Sequence, residues 1–302
     1  MSALPVVAIF GPTGVGKTAV AIALADRLRA GGEDPVAVSA DALQLYRGLE
    51  TLTGAADATE RRRLEHRLLG VAPVTETYSA GRYAALAHDT IDGLIAQGRR
   101  PIVVGGTGLY LRAALAELEL RPPPDPAIRA RWTAALEAGG PAALHDELRR
   151  RAPAAAATIA RGDAHRLVRA LELLDAGHEP PQRGGDSQLW TAETRQPTHL
   201  AALTMEREAL YARIDARVDA MVAAGAADEV RAADAAGASR TARVALGFAQ
   251  LLAGDVAGMK TATRRYARRQ LTWLRKLPGV QLLDVTDRAP DDVAGEILRA
   301  LP

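Results

Sequence analysis

The chain has 302 residues, of which 48% are hydrophobic and 25% charged, a balance that excludes disordered, collagen-like and low-complexity classes and leaves room for a large α/β domain with a second lobe. It contains no cysteine, which excludes disulfides, thiolate zinc sites, iron–sulfur clusters and cysteine nucleophiles together. A net charge of +2 with a pI near 9.1 is too small to identify a nucleic-acid binder by itself, because clustering of charge matters more than the sum.

The amino terminus has no basic n-region, and its first apolar run is broken at Gly11-Pro12. With no window of about 18 uninterrupted apolar residues, no membrane span and a cytoplasmic location are expected. Val6 to Phe10, continuously apolar and β-branched, predicts a buried strand, and Thr18 to Arg29 predicts a helix with Val20, Leu24 and Leu28 in register, stopped by Gly31-Gly32. Val36 to Ser39 and Ile102 to Val104 predict further strands, with a helical stretch from Tyr83 to Ala96 before the latter. Strands alternating with helices imply right-handed crossovers and a parallel sheet. Pro122-Pro123-Pro124-Asp125-Pro126 is the sharpest punctuation, and from there to about Leu189 only helices are expected: Ile128 to Glu137, Pro141 to Arg151 and Asp163 to Ala176. Beyond a polar loop at His178 to Ser187 come a strand at Leu200 to Leu203, a helix with Leu210, Ile214, Val218 and Met221 in register, and a basic helix from Lys260 to Lys276. The expected organisation is a core of 1–121 and 190–302 interrupted by a helical insertion at 122–189.

Gly11-Pro12-Thr13-Gly14-Val15-Gly16-Lys17-Thr18 fits G-x-x-x-x-G-K-[ST] between a predicted strand and a predicted helix, the setting that pattern requires. Its glycines let backbone N–H groups turn toward a phosphate, the helix N-terminus adds partial positive charge, Lys17 brings a full charge, and the Thr18 hydroxyl is placed to hold Mg²⁺. Most such loops serve γ-phosphoryl chemistry with an acidic metal ligand at another strand end. Here the third strand runs into Gly105-Gly106-Thr107-Gly108 with no Asp or Glu, which disfavours an ordinary NTPase. Ligands of open parallel sheets bind beyond the carboxyl ends of the strands, so the loop, Asp41 and Thr107 should meet in one cleft. Asp41 there suits a general base or a metal-arranging group, although position alone also fits a loop carboxylate.

The segments GPTGVGKT (11–18), SADALQLYRGLE (39–50), HRLL (66–69), PIVVGGTGLYLRAAL (101–115), DPAIR (125–129), RGDAHRLVRALE (161–172), RVALGF (243–248) and RRQLTWLRK (268–276) together resemble tRNA dimethylallyltransferases, in that family's order and across nearly the whole chain. The resemblance implies a P-loop NTPase-like parallel sheet flanked by helices, with a helical insertion that grips the anticodon stem-loop of tRNA. It implies transfer of a dimethylallyl group from dimethylallyl diphosphate to N6 of adenosine 37, with Mg²⁺ as cofactor. Carried over residue by residue, Gly11, Pro12, Thr13, Gly14, Val15, Gly16, Lys17 and Thr18 bind diphosphate and Thr18 the metal. Asp41 becomes the general base, Thr107 a contact to the reacting centre, and Arg243 a second cation on the diphosphate. Contact with tRNA maps to Asp41, Ala42, Leu43, Gln44, Thr107, Arg129, His165, Arg166, Leu167, Val168 and Arg169. Two departures from the family pattern stand out: Ala42 replaces the usual Ser, and Glu50 to Ala56 replaces D-I-G-T-A-K-P, with the loss of a hydroxyl and a lysine.

The chemistry asks for the same groups. An adenine amine is a weak nucleophile, so the donor must be activated by neutralising its leaving diphosphate, and the attacking nitrogen must lose a proton, a task worth roughly 10²–10⁴-fold for a positioned carboxylate. Adenosine 37 must leave its stack to reach a buried diphosphate. Lys260 to Lys276 carries no acidic residue, and Arg264/Arg268 and Arg265/Arg269 fall at i,i+4 opposite Ala267, Leu271 and Leu274. Such a face fits RNA phosphates, and as a charge run alone it fits a solvated helix equally. His66 suits a turn as well as a substrate contact. From the loop alone, a small-molecule or nucleotide kinase and a non-catalytic RNA-binding module stay open. With no coiled coil evident, a monomer is expected.

Overall fold

The computed structural model describes residues 5–120, 125–180 and 188–301; the triple proline at 122–124 and the loop at 181–187 lie outside them. The chain divides into two compact units, residues 120–187 and the remainder.

The larger unit is built on a six-stranded sheet. Its strands are β1 (Val6–Phe10), β2 (Pro35–Ser39), β3 (His66–Arg67), β4 (Arg100–Gly105), β5 (Thr198–Thr204) and β6 (Val280–Asp284), in the order β3-β2-β4-β1-β5-β6, every pairing parallel. β1 is buried along its whole length, which is why it reads as an unbroken apolar run rather than an alternating one. Val7 pairs with Ile102 on one side and His199 on the other, so the loop after β1 leaves from the middle of the sheet. The helix α1 (Lys17–Ala30) buries Val20, Leu24 and Leu28, and they join Ile9, Ile102, Leu203, Leu210 and Ile214 in one apolar cluster.

Further helices are α2 (Ala80–Ala96), α3 (Gly108–Leu115), α4 (Pro126–Arg151), α5 (Ala164–Asp175), α6 (Arg207–Ala223), α7 (Ala226–Ala235), α8 (Val256–Leu274) and α9 (Pro290–Arg299). Sequence periodicity does not single out β3, β6, α7 or α9. β3 is two residues long, and β6 is an edge strand whose Leu282 is exposed, so neither carries a continuous apolar signature.

Within residues 120–187, α4 is broken at Gly140 (φ 70°), immediately before Pro141, so the two helices expected there do occur, one after the other. A left-handed glycine followed by a residue lacking an N–H stops the first helix and starts the second. Leu144, Leu148, Leu167, Val168 and Leu171 form this unit's own core, with Trp132 packed against it. A core of its own is what lets such an insertion fold as a separate body.

Candidate active site

The loop after β1 depends on two glycines. Gly14 (φ 84°) and Gly16 (φ 100°) are left-handed, and a Cβ on Gly14 would lie 2.9 Å from Ile214 Cγ1 of α6, so the loop is both strained for other residues and pressed against its neighbour. Gly16 is also the residue from which α1 starts, and Lys17 is the first residue of that helix. The Lys17 ammonium donates to the carbonyls of Gly11 and Pro12, each at 3.0 Å. Burial pulls its pKa down to about 8, helped by the nearby Arg217 cation and opposed by Asp41. A half-buried cation held by carbonyl dipoles near another cation is poised for an anion.

At the end of β2, Asp41 follows Ala40, and its Oδ1 accepts from the Leu43 amide at 3.0 Å. That bond keeps the carboxylate on its own turn and leaves its other oxygen for a partner. The end of β4 comes very close: a Cβ on Gly105 would fall 2.2 Å from the Ala40 carbonyl oxygen, so this glycine permits the two strand ends to converge. Thr107 precedes α3 but does not cap it through its side chain; its hydroxyl lies 3.2 Å from the Tyr266 hydroxyl of α8.

These strand ends open on a cavity of about 820 Å³ whose lining includes Gly14, Lys17, Thr18, Asp41, Arg217 and Tyr266. Burial pushes the Tyr266 phenol up to about 12, with Asp41 adding to the rise, so it stays a neutral hydroxyl. Leu43, Gln44 and His66 also line the cavity, and burial lowers the pKa of His66, whose Nδ1 lies 2.7 Å from the Leu64 carbonyl. Thr107 does not line the cavity itself and is linked to it through Tyr266.

The structure places three sets of the expected site residues differently from what the sequence suggests. Arg243 does not reach the cavity: it pairs with Asp234, donates to the Ala238 carbonyl at 2.9 Å and lies over the Phe248 ring. The arginines that line the cavity with Lys17 are Arg61, Arg213 and Arg217, and Arg217 donates to the Gly54 carbonyl at 3.0 Å. Its position at i+4 from Arg213, both on the cavity side of α6, is the signal that was available, but the apolar register of Leu210, Ile214 and Val218 dominates that stretch. Leu167 and Val168, expected at the RNA surface, have side chains 0% and 6% exposed that belong to the insertion's core. Within the loop, the Thr13 amide donates to Gln270 Oε1 at 2.8 Å, Val15 is buried in the apolar core, and the Gly11 and Pro12 carbonyls hold Lys17. Of the eight residues, Thr13, Gly14, Gly16, Lys17 and Thr18 line the cavity.

Elsewhere the structure sorts the basic residues. On α8, Lys260 pairs with Asp219 and Arg264 with Asp215, whereas Arg265, Arg268 and Arg269 on the helix and Arg275 and Lys276 just beyond it are exposed and form no ion pair among the described residues. In the insertion, Arg129 and Arg169 both reach the buried Glu172, while His165 and Arg166 are exposed, the latter alongside Asp163 at 3.4 Å.

Departures from the family pattern are absorbed locally. Glu50–Thr53 forms a short helix whose Thr51 and Leu52 amides both donate to Glu229 of α7 at 2.9 Å. Gly54 then offers its carbonyl to Arg217 and, at 3.3 Å, to Gln44.

As for metal, no group of three or more His, Asp or Glu side chains is clustered for one among the described residues. The Thr18 hydroxyl, on the cavity lining, nonetheless suits Mg²⁺, which is commonly held by one or two protein oxygens together with substrate phosphates and water.

An open parallel sheet with a glycine-rich anion loop after its central strand defines a P-loop α/β protein, and the cavity beside that loop is lined by Lys17, Arg61, Arg213 and Arg217 together with Asp41, Glu50, Asp57 and Glu60. Comparison with known proteins narrows this. The family model described as IPP transferase matches residues 44–277. A tRNA dimethylallyltransferase of Kineococcus radiotolerans is 43% identical over 99% of this chain and 97% of its own, and one of Anaeromyxobacter sp. strain K is 44% identical over 91% of each. The crystal structure of a full-length tRNA isopentenylpyrophosphate transferase from Bacillus halodurans, 33% identical, superposes with a TM-score of 0.69 over 98% of this chain and 94% of that one. The chain belongs to the IPP transferase family and is an enzyme of the prenyltransferase class.

Proposed function

We propose that the chain transfers a dimethylallyl group from dimethylallyl diphosphate to N6 of adenosine 37, beside the anticodon of tRNA. The observation that carries this reading is the juxtaposition of Lys17, Arg217 and Asp41 around one cavity. The two cations and the amides of Gly14 to Thr18 receive the leaving diphosphate, and Asp41 receives a proton from the attacking amine. In the reaction the bond between donor C1 and the diphosphate oxygen breaks with its electron pair leaving on oxygen. The N6 lone pair forms the new bond to C1, and the N6 proton passes to Asp41. Mg²⁺, when bound at Thr18, supplies further neutralisation of the diphosphate. Charge stabilisation of this kind acts most strongly where water is excluded, and the desolvation that lowers the Lys17 pKa supports that reading.

RNA is met by the exposed cations of α8 and by the surface of the insertion around His165 and Arg166, through phosphate contacts that position the substrate without reading its sequence. The enzyme works as a cytoplasmic monomer, where its RNA substrate is found; among the described residues no helix is long and apolar enough to cross a membrane.

Incubation with labelled dimethylallyl diphosphate and an unmodified anticodon stem-loop tests the reading. Label in the RNA at adenosine 37 supports it. Phosphate release from ATP without RNA labelling replaces it with a kinase, and RNA binding without product replaces it with a binding module.

A further inference from the structure

The loop after β1 and the turn after β4 carry the two halves of the proposed chemistry, and a single side chain joins them. Gln270 of α8 is 4% exposed. Its Oε1 accepts from the Thr13 amide at 2.8 Å, and its Nε2 donates to the Gly106 carbonyl at 2.8 Å. Both ends of the amide are thus spent on backbone, one on each strand-end segment. The fit is close, since a Cβ on Gly106 would lie 2.3 Å from Gln270 Nε2, 3.1 Å from the Gly11 carbonyl oxygen and 3.3 Å from Lys17 Nζ. One turn earlier on the same helix, Tyr266 meets the Thr107 hydroxyl. One turn later, Trp273 packs where a Cβ on Gly108 would come within 2.2 Å of its ring. Tyr266, Gln270 and Trp273 stand at i, i+4 and i+7, one face of a helix, and they meet the consecutive residues Gly106, Thr107 and Gly108.

We propose that Gln270 is a positioning residue that fixes the distance between the diphosphate loop and the Thr107 turn, with Tyr266 orienting the Thr107 hydroxyl from the same helix face. This rests on the reading of the site given above. An amide suits the task because one end must accept from an N–H and the other must donate to a C=O, a pairing that neither a carboxylate nor an ammonium provides. A site whose parts sit on different strand ends holds its geometry only if those ends are tied together.

The test compares Gln270→Met, similar in length but with neither hydrogen bond, with Tyr266→Phe, which removes only the hydroxyl. With folding checked by circular dichroism, Gln270→Met is expected to raise both the Kd for inorganic pyrophosphate and the KM for the donor about tenfold and to lower kcat by at least as much, since misplacements on the order of 1 Å cost up to about 10²-fold. Tyr266→Phe is expected to lower kcat about tenfold while leaving the donor KM within about twofold, a split that general loosening of the fold does not produce. A folded Gln270→Met enzyme with both constants within about twofold of wild type overturns the proposal, as does a Tyr266→Phe enzyme with unchanged kcat. If Gln270→Met does not fold, hydrogen exchange on the wild-type protein decides: the Thr13 amide is expected to be protected without any ligand, and exchange at the rate of an open loop overturns the assignment. Wild-type enzyme that neither binds pyrophosphate nor labels RNA sinks the functional reading itself, an outcome distinct from either variant behaving like wild type.

Discussion

Replacing Arg217 with glutamine separates function from stability in a way the structure specifies. The guanidinium lines the same cavity as Lys17, and burial is the main cause that lowers the pKa of both; Arg217 is the next cause for Lys17, whereas the cation that lowers Arg217 is Arg213. In the free protein the two cations therefore repel at a desolvated position, and only an anion turns that cost into binding energy. Loss of one buried, charge-assisted contact to the diphosphate removes about 2–4 kcal/mol, which at about 1.4 kcal/mol per decade is a fall of roughly 30- to 1,000-fold in kcat/KM for the donor. Stability is expected to move the other way or not at all, because the variant sheds a desolvated cation and its repulsion with Lys17 while glutamine can still donate to the Gly54 carbonyl. The assay is kcat/KM for the donor at saturating anticodon stem-loop, together with a thermal melt of the ligand-free protein. Arg217→Gln with near-normal kcat/KM, or an equal loss in Arg243→Gln with folding intact, refutes the assignment of the second cation to α6.

Asp41→Asn should cost roughly 10²–10⁴-fold in turnover while leaving donor affinity unchanged or slightly tighter, since a negative charge leaves the vicinity of the diphosphate; equilibrium binding of an unreactive donor analogue checks the second half. Because Lys17 in the free enzyme titrates near 8 and a bound diphosphate holds its proton, affinity for that analogue should be flat in pH below this value and fall above it by about tenfold per unit. In Arg217→Gln the break should move to higher pH, and a flat profile through pH 9.5 would contradict the environment described for Lys17. Arg268→Ala and Arg269→Ala should each reduce the slope of log affinity for the stem-loop against log salt by about 1, and unchanged slopes would remove α8 from the RNA surface. Leu167→Ala, which empties a fully buried site in the insertion, should destabilise that unit by about 2–5 kcal/mol and leave pyrophosphate binding by the larger unit intact; intact stability in a chemical melt would count against its place in that core.

How much of this was legible in the sequence depended on where the information lies. The loop of Gly11 to Thr18 is local: its glycines, lysine and threonine are adjacent, and the strand before it is buried on both faces, so both motif and setting could be read directly. The meeting of Asp41 with that loop followed from strand alternation, since parallel strands bring their carboxyl ends to one edge. Arg217 was not legible, because what places it in the cavity is the packing of α6 against Gly14, a contact between residues two hundred positions apart. Arg243 sits in a motif that stands out by eye, but its charge is spent on Asp234, nine residues earlier. Leu167 and Val168 show the opposite side of motif reading: a segment that carries an exposed Arg166 must also carry apolar residues that hold its helix down, and periodicity rather than motif membership tells them apart. Gln270 looks like one more polar residue in a basic helix, and only the positions of Thr13 and Gly106 reveal that its two amide ends are occupied.

The most direct single measurement is a crystal structure with an unreactive thio-analogue of dimethylallyl diphosphate bound. The diphosphate should lie against the amides of Gly14 to Thr18 within hydrogen-bonding distance of Lys17 and Arg217, with the first prenyl carbon facing Asp41. An anion bound elsewhere, or an Asp41 carboxylate turned away from that carbon, would contradict the division of labour assigned to these residues.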